Sequence, residues 1–197
     1  MELVAFRLAG PRAPLRVRPS AFDGRFHRAG DPPVQYFSLH PLTPWAELLR
    51  RENRRGLDEA LAVRFRVWAF RVVVQELLEI SFATARDAGV RPADLIADDR
   101  SACQGLARRL REPGPPAPLV VPSAALPGTR NLVMFGPRVP APYDVQPVDA
   151  TYLPSAVAGD HARTLSSLLP LVRFRGRPHA EYQAWRRRRP FEFFEPR

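Results

Sequence analysis

The sequence contains no lysine, and among its 197 residues there is one cysteine, Cys103. A single cysteine cannot form an intramolecular disulfide, and it excludes a metal site built from several cysteine ligands. No apolar run approaches the roughly 20 residues that a membrane-spanning helix needs, and Arg7 interrupts the apolar residues near the beginning of the chain. We therefore expect a soluble, cytoplasmic protein that does not enter a membrane.

All 30 basic residues are arginine, and with 20 acidic residues the formal net charge is +10. Such a charge suits nucleic acid, an anionic ligand or an acidic protein partner. A lysine-free composition rich in arginine and proline is also what a GC-rich genome encodes, so the charge alone does not select a function. Four consecutive arginines at 186–189 lie beside Trp185 and Phe191. Such runs are more often solvated termini or docking segments than nucleic-acid sites, and we expect no direct nucleic-acid binding.

Residue patterns predict a chain of mixed strands and helices with enough apolar residues, 45% of the total, for a buried core. Strands are predicted from alternation and β-favouring residues at 2–8, 34–39, 63–72, 76–80, 119–121, 131–135 and 145–148. Helices are predicted at 44–55, 91–96 and 100–111, with one more inside 161–172 that ends at Pro170. For the first helix we expect Thr43 as N-cap, Pro44 at the first position and Gly56 at the end.

Four residues in the first 50 form a recognisable chemical set. Arg7 lies on a predicted strand, Arg25 follows Gly24 in a turn, Tyr36 is on the next strand, and Glu47 is in the first turns of a helix. Two guanidiniums can clamp a diphosphate, a phenol ring can stack on a heterocycle, and a carboxylate can stabilise an oxocarbenium ion. The ordinary alternative is two surface arginines, a core tyrosine and a glutamate in a capping interaction, and spacing alone favours that alternative.

In order and spacing, these residues resemble the RES domain family. The family pattern has an arginine in an N-terminal strand, a Gly-Arg-aromatic-Asn turn, a Gly-x-Pro-x-x-Tyr strand, a helical glutamate, a Pro-Ser and an Asn-aliphatic-aliphatic strand. The matching segments here are Arg7, Gly24-Arg25-Phe26-His27, Gly30-Asp31-Pro32-Pro33-Val34-Gln35-Tyr36, Glu47, Val121-Pro122-Ser123-Ala124 and Asn131-Leu132-Val133-Met134-Phe135. The resemblance covers roughly residues 2 to 140.

The resemblance implies an α+β fold like that of ADP-ribosyltransferases, with a split, curved sheet and flanking helices. It leads us to expect a catalytic domain at 1–150 and an extension of unassigned role at 151–197. RES-domain proteins that have been characterised are toxins of toxin–antitoxin pairs, and they degrade NAD with release of nicotinamide by hydrolysis or phosphorolysis. The implied partners are therefore NAD, inorganic phosphate as a possible acceptor, and an Xre-type antitoxin that covers the active site.

Residue roles follow from the same resemblance. Arg7 and Arg25 would hold the pyrophosphate and adjacent ribose of NAD, and Tyr36 would stack on nicotinamide. Glu47 would orient the nicotinamide ribose and stabilise its cationic transition state. Ser123 would hydrogen-bond near that ribose, and Asn131 is a weaker substrate-binding candidate. His27 departs from the pattern, because many members have asparagine there; a lone histidine in a turn is more often solvated or packed than catalytic.

The sequence has no glycine-rich phosphate loop, no dinucleotide fingerprint and no His-Glu-x-x-His metal motif. We therefore expect NAD to be a substrate, with no bound cofactor and no metal. Two other functions stay open. A protein ADP-ribosyltransferase would use the same pocket but leave ADP-ribose on a protein target. A non-enzymatic module would use its arginines to bind an acidic protein or nucleic acid.

Overall fold

The computed structural model describes residues 1–9, 15–16, 18–61, 66–114, 116–136, 145–152 and 167–194. Its strands are β1 (Glu2–Ala9), β2 (Val34–Ser38), β3 (Arg66–Val73), β4 (Leu78–Glu79), β5 (Leu119–Pro122), β6 (Arg130–Phe135) and β7 (Val145–Tyr152). Its helices are α1 (Thr43–Glu52), α2 (Leu57–Leu61), α3 (Ser101–Arg111) and α4 (Ala180–Arg186), with 3-10 turns at Pro92–Leu95 and Leu169–Leu171. None of the helices in these ranges is long and apolar enough to cross a membrane.

The seven strands form one sheet in the order β4-β5-β6-β2-β1-β3-β7. β4 and β5 are parallel, and all the other neighbours are antiparallel. β1 pairs with β3 at eight positions, but it pairs with β2 at one position, Phe6 with Ser38. The middle of the sheet therefore opens where β1 and β2 separate beyond that pair, which confirms the predicted α+β fold with a split sheet.

Both long helices cover the same face of the sheet. α1 buries Trp45, Leu48 and Leu49 in a cluster that includes Phe6 and Leu8 of β1. α3 buries Cys103, Leu106 and Ala107 against Val34 and Val133, so Cys103 is a packing residue of the core. The opposite face carries its own apolar cluster, in which Phe37 packs edge-on against Phe70 at 5.2 Å between ring centroids. Apolar side chains of β1, β2 and β6 therefore pack on both faces of the sheet.

The ends of α1 differ from the prediction. Its N-cap is Leu42, which makes no side-chain cap, whereas Thr43 is fully buried and donates its hydroxyl to Thr129 Oγ1 at 2.9 Å. Thr43 is not the N-cap because this tertiary hydrogen bond uses its side chain. The helix ends at Asn53, whose φ of 55° places it in the left-handed region, so the end precedes Gly56 by three residues. Asparagine tolerates this conformation better than most non-glycine residues.

Other boundaries are corrected by smaller amounts. The predicted helix at 91–96 is a 3-10 turn, the strand at 76–80 contracts to Leu78–Glu79, and the edge strand at 145–148 lengthens to Val145–Tyr152. Residues 167–168 are α-helical, and Pro170 lies inside the 3-10 turn at Leu169–Leu171 that follows them, so the α-helical residues end just before Pro170. Residues 63–65 of one predicted strand and 161–166 of one predicted helix lie outside the described residues.

Residues 167–194 pack on the body of the protein. Leu168, Val172 and Phe174 join the core cluster of α1. His179 donates from Nε2 to Ser123 O at 2.9 Å, and its Nδ1 accepts the Tyr182 amide at the start of α4. Glu181 accepts the Gly128 amide at 2.8 Å and pairs with Arg130. The C-terminal segment thus anchors the loop between β5 and β6, while the expected division at residue 150 stays a prediction.

Lowering the pH should destabilise the protein through His179. Burial lowers the pKa of His179 from 6.5 to about 4, and a proton on Nδ1 would also remove the acceptor for Tyr182. Because the unfolded chain takes up this proton at higher pH than the folded one, the stabilisation is complete above pH 6.5 and is lost as the pH falls toward 4. The loss should not exceed about 3 kcal/mol.

Urea unfolding at several pH values between 7.5 and 4.5 measures this loss, with His179→Asn as the matched variant. Asparagine can still cap α4 through its amide oxygen, but it does not titrate. The difference in unfolding free energy between the wild type and this variant should therefore shrink as the pH falls. A constant difference over the range would contradict a neutral, buried His179.

Candidate functional site

A cavity of about 600 Å³ lies between α1, the turn at 22–27 and the sheet face that carries Tyr36. It is next to the position where β1 and β2 separate. The sequence-predicted residues that line it are Arg7, Arg25, Tyr36, Glu47 and Asn131. Five of the six predicted site residues are thus brought together from three strands, one turn and one helix. Ser123 is not in the lining.

The turn that carries Arg25 is held by backbone and side-chain contacts. The Gly24 amide donates to His27 O at 2.9 Å, which closes the turn. From α3, Gln104 donates to the carbonyls of Gly24 and His27. Arg25 itself donates from Nη2 to Ala97 O at 2.8 Å, while its Nη1 is buried without a hydrogen-bond partner among the described residues. A buried donor left unpaired costs roughly 1–3 kcal/mol, so Arg25 is suited to a ligand that supplies an acceptor.

Tyr36 is fixed through its hydroxyl. The Phe26 amide donates to this oxygen at 2.9 Å, and His27 Nδ1 lies 2.8 Å from it. Burial raises the pKa of Tyr36, so the phenol is protonated at any physiological pH. His27 is 3% exposed, and it is therefore neither solvated nor free to turn.

The side-chain amide of Asn131 links Glu47 to the sheet. Asn131 donates from Nδ2 to Glu47 Oε1 at 2.5 Å, and its Oδ1 accepts the Ser38 hydroxyl at 2.9 Å. The carboxylate can only accept, so the two contacts together fix the orientation of the amide. Burial raises the pKa of Glu47, and the Asn131 hydrogen bond and nearby Arg25 act in the opposite direction. The result is a partly buried carboxylate held in one position beside cationic groups.

Arg7 is held on the other side of β1 from Phe6 and Leu8. Its Nη1 donates to Gln35 Oε1 at 2.7 Å, and its guanidinium lies over the Phe37 ring. Gln35 is fully buried and also bonds the backbone of Arg16 in both directions. Burial and the neighbouring Arg16 lower the pKa of Arg7 to about 10, so the group stays charged at neutral pH.

The cavity has a strong positive balance. Seven arginines and three carboxylates line it. Arg100 donates to Asp23 O at 2.7 Å, in the same way that Arg25 donates to Ala97 O. Because these acceptors are neutral carbonyls, they satisfy hydrogen bonds without cancelling the positive charge. Arg50 and Arg51 are exceptions, since Arg50 pairs with Asp98 and Arg51 pairs with Glu52. The Nε of Arg50 is nevertheless buried without a partner among the described residues. A cavity of this kind favours a polyanionic ligand.

Ser123 serves the loop and not the cavity. It is fully buried, and its hydroxyl accepts the amides of Ala125 and Leu126, both at 3.2 Å. This is the turn geometry that serine commonly adopts. A role of Ser123 in substrate binding, which the family resemblance implied, stays a prediction without support from this geometry.

Sequence reasoning missed several cavity residues. These are Arg16, Arg50, Arg51, Arg100 and Arg175, together with Gln35, which positions Arg7 and Arg16. Arg50 and Arg51 had a signal, because they lie about one turn beyond Glu47 on the same helix. The others come from segments whose proximity depends on the tertiary fold. Among the described residues, no group of three or more potential metal ligands occurs; a metal-free site stays a prediction.

Comparison with known proteins places the chain in a family. Residues 4–157 match the model of the RES domain. A protein of Mycobacterium tuberculosis named "Probable NAD(+) phosphorylase" is 36% identical over 155 residues, which is 79% of this chain and 69% of the relative. The chain belongs to the RES domain family.

The fold of this RES-domain protein is also found in a solved structure. The crystal structure of the M. tuberculosis MbcT–MbcA toxin–antitoxin complex aligns with a TM-score of 0.64 at 20% identity, covering 81% of this chain and 88% of the other. The likeness confirms the α+β fold. The RES match ends at residue 157, so the contacts of His179 and Glu181 with the β5–β6 loop come from beyond it.

Inorganic pyrophosphate should bind this cavity and raise the thermal unfolding temperature, because a ligand of the folded state stabilises it. Arg25→Gln should weaken binding about tenfold or more, since a hydrogen bond between charged groups contributes roughly 1.5–3 kcal/mol. Calorimetric titration at fixed salt concentration measures the affinity. Arg108→Gln is the matched control, because Arg108 is exposed on α3 and outside the cavity lining. If both variants lost the same affinity for pyrophosphate, binding would depend on the net charge of the protein and not on the position of Arg25.

Proposed function

We propose that this protein degrades NAD by cleaving the bond between nicotinamide and ribose. The observation that carries the proposal is the pairing, within one cavity, of arginines whose charge is not cancelled and a carboxylate held by an amide. Arg25 donates to the neutral carbonyl of Ala97 and has a second, buried N–H group without a partner among the described residues. Glu47 is held by Asn131 in the same lining. A dinucleotide needs both, because its diphosphate is anionic and its reacting ribose becomes cationic.

The arginines supply binding. Guanidiniums form bidentate hydrogen bonds with phosphate oxygens, and the anchoring of Arg25 and Arg100 on carbonyls fixes their positions before the substrate arrives. Tyr36 supplies a flat ring whose hydroxyl is already held, which suits stacking on the nicotinamide heterocycle. Binding energy at the diphosphate and at the ring holds both ends of NAD while the bond between them lengthens.

Glu47 stabilises the transition state. As nicotinamide leaves with the bonding electron pair, positive charge develops on the ribose ring. A carboxylate about 4 Å from that charge contributes on the order of 4 kcal/mol at an effective dielectric constant of 20. Water then attacks to give ADP-ribose and a proton, or inorganic phosphate attacks to give ADP-ribose phosphate. The relative named for NAD(+) phosphorylase activity favours phosphate as the acceptor. NAD is consumed as substrate, and no resident cofactor or metal takes part.

A protein partner is the second part of the proposal. The solved structure of similar fold is a toxin in complex with its antitoxin, and RES-domain relatives are toxins of such pairs. We expect an Xre-type antitoxin to bind this chain and block access to the cavity. A positively charged cavity is readily blocked by an acidic segment of such a partner.

Incubating the purified protein with NAD, with and without inorganic phosphate, tests the activity. Free nicotinamide and the mass of the second product decide the outcome. ADP-ribose indicates hydrolysis and ADP-ribose phosphate indicates phosphorolysis. ADP-ribose retained on a protein would instead establish a protein ADP-ribosyltransferase that uses the same cavity, and intact NAD would contradict the enzymatic proposal.

Glu47→Gln should lower kcat for nicotinamide release on the order of a hundredfold and change KM little, because the lost charge acts mainly in the transition state. Steady-state kinetics measure both constants. Glu112→Gln is the matched control, since Glu112 is exposed at the C-terminal end of α3 and outside the cavity lining. Undiminished turnover by Glu47→Gln would contradict the role of the carboxylate.

Ser123→Ala separates the two roles considered for that residue. If Ser123 only holds its turn, the variant should lose roughly 1–3 kcal/mol of unfolding free energy, because two amides lose their acceptor. The kcat of the folded fraction should then stay within about twofold of the wild type. A large fall in kcat with unchanged stability would instead support the substrate contact that the family resemblance implied. Urea unfolding and active-enzyme titration measure the two quantities.

A further inference from the structure

The turn at 22–27 encloses a hydrogen-bonded pair that the proposed chemistry does not yet use. His27 and Tyr36 are nine residues apart, and their ring centroids lie 5.6 Å from each other. A Cβ added at Gly24 would lie 2.7 Å from the Tyr36 hydroxyl and closer still to the His27 ring. No side chain larger than hydrogen fits there without a shift, so the glycine of the turn gives the pair its space.

The proton positions in this pair follow from its partners. His27 Nε2 lies 3.1 Å from Phe22 O, and a carbonyl can only accept, so Nε2 carries a proton. In a neutral imidazole, Nδ1 then has a lone pair. The Tyr36 oxygen already accepts the Phe26 amide, and its own proton is therefore donated to His27 Nδ1. This assignment satisfies every polar atom of the pair.

We propose that His27 is a positioning residue, which fixes the Tyr36 ring for substrate by accepting the phenol proton, and that only its neutral imidazole can do so. The inference rests on the proposed function for its effect on NAD, but the hydrogen bond itself does not. Protonation of Nδ1 would place two donors, imidazolium and phenol, against each other and release the ring from its orientation. The turn would thereby make substrate binding sensitive to acid.

The charged surroundings of His27 keep it neutral near pH 7. Burial lowers the pKa of His27 below 6.5, and so do Arg16 and Arg111, whereas the Phe22 carbonyl and Asp31 raise it. Arg111 comes from α3 and Arg16 from the segment that Gln35 holds, while Asp31 lies between the turn at 22–27 and β2, which carries Tyr36. Two guanidiniums against one carboxylate favour the uncharged ring. The phenol itself stays protonated, because burial raises its pKa.

Two substitutions of His27 each keep a different one of its two side-chain hydrogen bonds. In His27→Asn, the amide oxygen is bonded to Cγ, as Nδ1 is, and can accept the Tyr36 proton. In His27→Gln, the amide nitrogen can reach Phe22 O, but no acceptor lies next to Cγ. Asparagine should therefore keep KM for NAD within about threefold, and glutamine should raise it about tenfold with kcat within about twofold. The loss of one hydrogen bond of roughly 1–1.5 kcal/mol corresponds to that factor.

The Tyr36→Phe background shows whether the effect passes through the phenol. There, His27→Gln should change KM by less than about twofold. An equal rise in KM in both backgrounds, or equal KM values for the asparagine and glutamine variants, would overturn the inference. As the pH falls below 7, the ratio of wild-type kcat/KM to that of His27→Asn should fall, because His27 takes up a proton and asparagine does not titrate. A constant ratio would also count against it.

Unfolding in urea without NAD keeps the inference separate from the proposed function. His27→Gln should shift the urea midpoint of unfolding strongly when Tyr36 is present and weakly in the Tyr36→Phe background. This result should hold whether or not the protein turns over NAD. If the midpoint shift depends on Tyr36 but NAD is not turned over, the hydrogen bond between His27 and Tyr36 is supported and the proposed enzymatic function is refuted. If NAD is turned over but His27→Gln changes the midpoint and KM equally in both backgrounds, the positioning role of His27 is refuted and the enzymatic function stands.

Discussion

The structure depends on how buried guanidiniums are held without being neutralised. Arg25 and Arg100 donate to backbone carbonyls, and Arg7 donates to the amide of Gln35. Each contact satisfies donors that would be costly to bury unpaired, yet a neutral acceptor leaves the positive charge available to a ligand. Carboxylate partners would have given stronger pairs and a cavity with no excess charge. The cost appears in the pKa of Arg7, which burial and Arg16 lower to about 10.

The sheet supplies the space in which those charges converge. β1 and β2 share one register pair, and beyond it Gln35 bridges from β2 to Arg7 by a side chain in place of backbone pairing. The other wall depends on the C-terminal segment. His179 and Glu181 hold the loop before Asn131, and Asn131 in turn holds Glu47. The position of the Glu47 carboxylate is therefore linked through one loop to a segment beyond the RES match.

Local patterns were enough to predict the central elements, because strand alternation and a Pro-opened helix do not depend on distant contacts. The five cavity residues were predicted from the order and spacing that resemble the RES domain family, since spacing alone favoured ordinary structural roles. Local patterns were not enough where a side chain has a distant partner. Thr43 looks like an N-cap, but Thr129, 86 residues later, takes its hydroxyl. Gln35 reads as a polar residue on a strand, and its burial follows from the split of the sheet. His27 is ambiguous until Phe22 and Tyr36 are both seen beside it.

The pKa values of Glu47 and His27 are shifted in opposite directions. In the proposed mechanism, both shifts bear on activity near neutral pH. Glu47 acts as a carboxylate, so its raised pKa moves the acid limit of its active form upward, and the Asn131 hydrogen bond and nearby arginines restrain that movement. His27 acts as a neutral imidazole, so its lowered pKa moves the acid limit of its active form downward. Arg25 limits the rise in the pKa of Glu47 because it favours the carboxylate anion. Arg16 and Arg111 help to lower the pKa of His27 because they disfavour the imidazolium cation. The excess of arginine that attracts an anionic substrate therefore also keeps both groups in the forms that its cleavage requires.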